Sequence, residues 1–245
     1  MNRVNAPDGT PLVFDAYEPS SRAAVALLVL SDWQPQPASG TEPWAESGAR
    51  LKDQGFAAYF LDQRGQGRSG GRRGHLSRFS QLLGDLQAFR RAVRRRVDAP
   101  QVLVGHGFGG LVVLRYLETQ PGEPPAAAVI ASPWLAPRIR PPAWKRLAAR
   151  LADLWPTLPT GRGPGYMTAG ARAELLWAQR AVLADRQRIE RPVLFVLEAQ
   201  DPVTDSHVSR SFAESLGSPA RVQWHTDSSY NLVTDLTPFA SQYHS

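Results

Sequence analysis

A chain of 245 residues with 42% hydrophobic and 9% aromatic content is long enough for one large domain and apolar enough to bury a core, which excludes wholesale disorder. Its longest apolar run, residues 23–30, is far short of the roughly 20 residues that a membrane-spanning helix needs. The polar start Met1-Asn2-Arg3-Val4-Asn5 is no export signal, so the cytoplasm is the expected compartment. Without cysteine there is no disulfide, no thiolate metal site and no cysteine nucleophile; the net charge of +6 rests on arginine, since lysine occurs only at Lys52 and Lys145.

Hydrophobic period and turn residues give an alternating order of elements. Strands are expected over 12–17 and 23–30, followed by a proline-rich loop (Gln34-Pro35-Gln36-Pro37) and a helix over 43–54 that Gly55 stops. A buried strand over 56–61 leads into a glycine-rich loop, 64–74, and then a helix over 80–97. That helix carries Leu82, Leu86, Phe89, Val93 and Val97 at steps of three and four, which sets Arg90, Arg91, Arg94, Arg95 and Arg96 toward water. A solvated face is preferred there to a phosphate-binding surface, and nucleic acid is not an expected partner, because no zinc finger, helix-turn-helix or stacking aromatic row accompanies it.

A short strand over 101–104 runs into Gly105-His106-Gly107-Phe108-Gly109-Gly110, with a helix over 111–118 and a strand over 126–131 beyond. The rhythm breaks from Pro133 to about Gly170, a stretch rich in Pro and Trp with a short helix expected over 144–154. A helix over 171–186, burying Leu175, Leu176, Ala178 and Val182, restores the alternation, and a strand over 193–197, a helix over 206–216 and a strand over 221–224 complete it. Residues 236–245 barely allow a final helix. Alternation of this kind implies crossovers and a mostly parallel sheet with helices on both faces. The chain reads as a single α/β domain, with a core of about 1–132 and 187–245 and a cap insertion of about 133–186.

The sharpest local feature is the turn around Gly107. Glycines two before and two after a central residue let a strand pass abruptly into a helix, the spacing of the nucleophile elbow Gly-x-Ser-x-Gly. Here the centre is Gly107, which has no side chain to attack with.

Several segments together resemble the α/β-hydrolases, in the monoacylglycerol lipase and lysophospholipase-like, serine aminopeptidase-type branch. Asp62-Gln63-Arg64-Gly65-Gln66-Gly67-Arg68-Ser69-Gly70-Gly71 is similar to that branch's Asp-x-Arg-Gly-His-Gly-x-Ser-x-Gly loop, with Arg73-Gly74-His75 and Phe79…Asp85-Leu86 following its pattern. Gly105 to Gly110 resembles its elbow, Ser132-Pro133-Trp134-Leu135 its cap entry and Gln200-Asp201-Pro202-Val203 its acid loop. The resemblance implies an α/β-hydrolase fold with a shortened helical cap; no cofactor is expected, and the spacing of histidines and carboxylates suggests no metal site. It also assigns triad positions: Gly107 for the nucleophile, Asp201 for the acid and Tyr230 for the histidine, so only the acid is retained. His225 would need a shifted loop to serve instead; His75, His106 and His207 read as bystanders.

On the oxyanion side, the family's His-Gly-x-Gly gives way to Ser31-Asp32-Trp33-Gln34. An acidic Asp32 opposes the charge that develops there, leaving the Trp33 and Phe108 amides as donors, with His106 beside the elbow. The expected function is therefore a degenerate, pseudoenzyme member of the family that binds a small apolar or acyl-containing ligand or a protein partner. The alternative is an active carboxylic-ester hydrolase or a lyase using a non-standard residue, such as Ser31 or Ser69, or a water in the space left at Gly107. Trp134, Trp144, Trp155, Tyr166, Met167 and Trp177 make the cap aromatic, which fits packing better than an acyl wall.

Overall fold

The computed structural model describes residues 2–33, 45–119, 123–139, 142, 154–160, 166–225 and 232–243. Its strands are Asn2–Asn5 (β1), Pro11–Tyr17 (β2), Ala26–Leu30 (β3), Ala57–Asp62 (β4), Gln101–His106 (β5), Ala127–Ala131 (β6), Val193–Glu198 (β7) and Ala220–His225 (β8). They form one sheet in the order β1-β2-β4-β3-β5-β6-β7-β8. The β1–β2 and β2–β4 pairs are antiparallel, and every neighbour from β4 through β8 is parallel. The five strands from β3 to β7 are near-continuous apolar runs because both of their faces are covered.

The helices are Ala45–Asp53 (α1), Phe79–Arg94 (α2), Phe108–Thr119 (α3), Ala169–Asp185 (α4), Ser206–Glu214 (α5) and Leu232–Ala240 (α6). Period-two alternation divides the strand side chains between two cores. Leu28, Tyr59, Leu103 and Phe195 face Phe89 of α2, Leu114 of α3, Leu175 of α4 and Phe212 of α5. Leu27, Phe60, Val104 and Val196 face Leu51 of α1 and Phe239 of α6.

Four expectations need correction. β1 was unforeseen: its polar residues form an edge strand through backbone pairing, Arg3 opposite Val13 and Val4 opposite Leu12. The final helix α6 forms despite Pro238, because Leu236, Phe239 and Ala240 are buried on the sheet. Leu176 is 39% exposed; the buried stripe of α4 runs Ala171, Leu175, Ala178 and Val182, leaving its neighbour off the face. Arg90 is 4% exposed rather than in water, because it lies four residues after Leu86 and three before Val93, on the edge of the core-facing stripe. The helix expected over 144–154 falls almost entirely outside the described residues.

Charge is also buried between α3 and α4. Arg115 pairs with Glu118 at 2.8 Å and with Asp185 of α4 at 3.0 Å, and Glu118 is itself 4% exposed. Burial pushes the Glu118 carboxyl up to about 7, against the pull of Arg115. A carboxyl whose folded pKa exceeds its unfolded value stabilises fully below the unfolded pKa, and that contribution fades as pH rises through about 7. Urea midpoints are therefore expected to fall from about pH 5 to pH 8 by the equivalent of about 1–3 kcal/mol, and Glu118→Gln to flatten the profile. An unchanged slope in the glutamine variant would assign the effect to another group.

The chain passes from β3 to β4 on one side and then to β5 on the other, so the carboxyl ends of β3 and β5, paired at Leu30 and Gly105, open a crevice. In open parallel sheets such a reversal point is where ligands bind.

Candidate functional site

At the β5–α3 junction the backbone turns on Gly107 at φ +55°, a left-handed conformation that suits glycine. Its N–H donates to the Ala131 carbonyl at 2.9 Å and its carbonyl accepts from Trp134 N at 3.1 Å, so β6 and the segment after it brace the turn. The flanking glycines serve close approach. A Cβ on residue 105 would lie 2.6 Å from the Gly109 carbonyl oxygen, and one on residue 109 would overlap the Leu30 carbonyl.

The loop after β3 completes the crevice. Asp32 sends its carboxylate over the elbow, where Oδ1 accepts a hydrogen bond from the Phe108 backbone N–H at 2.8 Å. A Cβ at residue 107 would overlap that carboxylate. A water beside Gly107, one route of the alternative reading, would meet the Asp32 carboxylate there. Trp33 is buried; its indole N–H donates to the Tyr166 carbonyl at 3.1 Å and its ring meets Phe108 edge-on at 4.8 Å. Phe79 and Trp134 also contact the Phe108 ring, at 6.2 and 5.9 Å. Ser31 enters through its backbone, its carbonyl accepting from Gln63 Nε2 at 2.8 Å. His106 is the half-buried last residue of β5.

Asp201 lies beyond β7 and is 5% exposed. Its Oδ1 accepts from the N–H groups of Val203 (2.7 Å) and Thr204 (2.8 Å), and its Oδ2 from the Thr204 hydroxyl at 2.6 Å. Burial alone would raise this carboxyl, but hydrogen bonds from Thr204, Val203 and Ser132 outweigh it and hold the group ionised below the usual carboxylate range. Ser132, in a left-handed conformation at φ +40° just after β6, thus links Asp201 to the strand that braces Gly107. Arg138 adds a bond from Nη1 to the Asp201 carbonyl at 2.7 Å. Ser132, Thr204 and Arg138 were not singled out as site residues. The Asp201-Pro202-Val203-Thr204 spacing held a signal, since an aspartate carboxylate commonly caps the amides two and three residues on.

The structure therefore brings Asp32, Trp33, Gly107 and Phe108 together and fixes Asp201 in its own turn. Tyr230 lies outside the described residues. His225 ends β8, its carbonyl accepting from Ala199 N at 2.9 Å. Ser69 is occupied in the glycine-rich loop, donating to the Asp62 carbonyl and accepting from Val13 N at 2.8 Å. His75 bonds the Thr168 hydroxyl at 2.9 Å, tying that loop to the start of α4. Among the aromatic residues of 133–186 that are described, Trp155 and Trp177 are 63% and 51% exposed, while Tyr166 donates to the Arg73 carbonyl at 3.0 Å. Among the described residues, no three His, Asp or Glu side chains converge as a metal site, and no helix is long and apolar enough to cross a membrane.

Strand order, crevice and elbow together define the α/β-hydrolase fold. The match of residues 42–164 to the family model for serine aminopeptidase, S33, places the chain in that family. It is 31% identical to the monoacylglycerol lipase of Mycolicibacterium smegmatis over 51% of this chain and 43% of that protein. It is likewise 31% identical to lysophospholipase L2 of Escherichia coli, over 65% of this chain and 47% of that one. The chain thus spans less than half the length of these curated relatives. The crystal structure of Paleococcus ferrophilus monoacylglycerol lipase superposes with a TM-score of 0.75 over 96% of this chain and 99% of the other, at 19% identity.

Proposed function

We propose that this chain keeps the scaffold of a monoacylglycerol lipase or lysophospholipase-like hydrolase but not its serine chemistry, and uses the crevice to bind a small acyl-bearing ligand. The carrying observation is the Asp32 carboxylate on the Phe108 amide. In an acyl-transfer enzyme of this architecture that amide must greet the developing oxyanion; here it is already bonded to the Asp32 side chain. Gly107 supplies no nucleophile, and the resemblance puts Tyr230, a neutral phenol near pH 7, where the base should be. Loss of a triad serine or histidine costs about 10⁶ in turnover, and the loss of an oxyanion donor about 10²–10³. The acyl-bearing ligand follows from the relatives, a monoacylglycerol lipase and a lysophospholipase, together with the apolar cluster that Trp33, Phe108 and Trp134 form beside the elbow.

Incubation with p-nitrophenyl butyrate and a fluorophosphonate probe is expected to give neither turnover above buffer nor covalent labelling. Fluorophosphonate-sensitive hydrolysis would overturn the reading.

A further inference from the structure

At the other end of the sheet, Arg90, Arg91 and Arg94 of α2 and Arg95 just after it line a cleft of about 350 Å³ with Tyr116 of α3 and Glu123. Arg90 bonds Gln101, the first residue of β5, whereas Gly107 follows the last, so one strand length of roughly 20 Å separates the cleft from the crevice.

Arg90 is the informative member. Its Nε donates to Gln101 Oε1 at 3.0 Å, and its Nη1 donates to the Tyr116 hydroxyl at 2.9 Å and the Glu123 carbonyl at 2.7 Å. All three acceptors are neutral. The Arg90 Cζ also lies 5.5 Å from the centre of the Tyr116 ring, but among the described residues no carboxylate pairs with this buried guanidinium, and a buried charge is costly without a counterion. Among the described residues that line the cleft, the one carboxylate, Glu123, is paired with Arg94. Cations in a last helical turn complement the helix dipole, which accounts for exposed Arg91, Arg94 and Arg95 but gives no reason to bury Arg90.

We propose that this cleft binds a phosphate-bearing anion. Planar guanidinium forks match tetrahedral oxyanions with paired donors, Arg91 and Arg95 extend the positive rim, and the volume falls within the range of small-molecule sites. The phosphate can belong to a free phosphorylated compound or to a lipid headgroup.

Calorimetric titration with inorganic pyrophosphate, and cosedimentation with phosphatidylcholine vesicles with or without phosphatidic acid, separate these sources. Because Arg90→Gln also removes interior hydrogen bonds, the exposed pair Arg91→Ala with Arg95→Ala carries the test. Saturable binding to pyrophosphate, or selective binding to phosphatidic acid vesicles, that weakens about tenfold or more in this double variant supports the site and names the source. No binding to either probe, binding equal in the variant, or binding confined to an oligonucleotide would overturn it.

Discussion

Gly107→Ser combined with Tyr230→His is expected to remain unlabelled by a fluorophosphonate, while the same pair with Asp32→Gly becomes labelled and slowly hydrolyses p-nitrophenyl butyrate. The reason is steric before it is chemical. A serine Cβ at residue 107 overlaps the Asp32 carboxylate, so the double variant either displaces that carboxylate or strains the turn. Overpacking of this kind costs about 1–3 kcal/mol, and a non-glycine residue at φ +55° adds roughly 1–2 kcal/mol. Removing the Asp32 side chain relieves the overlap and returns the Phe108 N–H to the crevice. With one oxyanion donor worth about 10²–10³ in turnover, the triple variant should exceed the double by at least about a hundredfold. Labelling of the double variant to the same extent would show that Asp32 does not control the site.

Asp85→Ala is expected to lower stability by about 3–5 kcal/mol, a drop of roughly 10 °C or more in Tm for a domain of this size. Asp85 and Arg64 are 2% and 7% exposed and joined by two bonds, Nε to Oδ2 at 2.6 Å and Nη2 to Oδ1 at 2.5 Å. Truncating the aspartate leaves a buried guanidinium with only the half-exposed Asp8 as a charged partner, 2.7 Å from Nη1. The pair locks the glycine-rich loop to α2, so thermal melting should show the loss even if the fold persists. A drop below about 1 kcal/mol would mean that Asp8 compensates by itself or that water reaches Arg64.

How much was legible depends on the reach of the interaction. The six parallel strands and the helices between them announce themselves through local period, and their bounds fall within a few residues of the expected ones. β1 was invisible because Asn2, Arg3 and Asn5 carry no apolar alternation and become a strand only through Phe14, Val13 and Pro11 opposite them. Arg90 was misjudged because a charged side chain on the border of an amphipathic stripe is buried or exposed according to its neighbour, here Tyr116, a residue on another helix. The elbow glycines were readable as a spacing, and the Asp201 loop only through the family resemblance. That Asp32 would point onto the Phe108 amide was not, because it depends on where the β3 loop crosses the β5 turn; the sequence disclosed only an unfavourable charge nearby. Ser132 is a similar case, its hydroxyl reaching Asp201 across strands more than sixty positions apart.

The overlap at residue 107 also constrains history. A side chain there and the Asp32 carboxylate in its present pose are mutually exclusive tenants of one volume. Any relative bearing serine at this position must carry either another residue in place of this aspartate or the aspartate in another pose. The way back is correspondingly closed to single steps, since reintroducing serine meets an occupied seat and removing the aspartate alone leaves an elbow with nothing to attack.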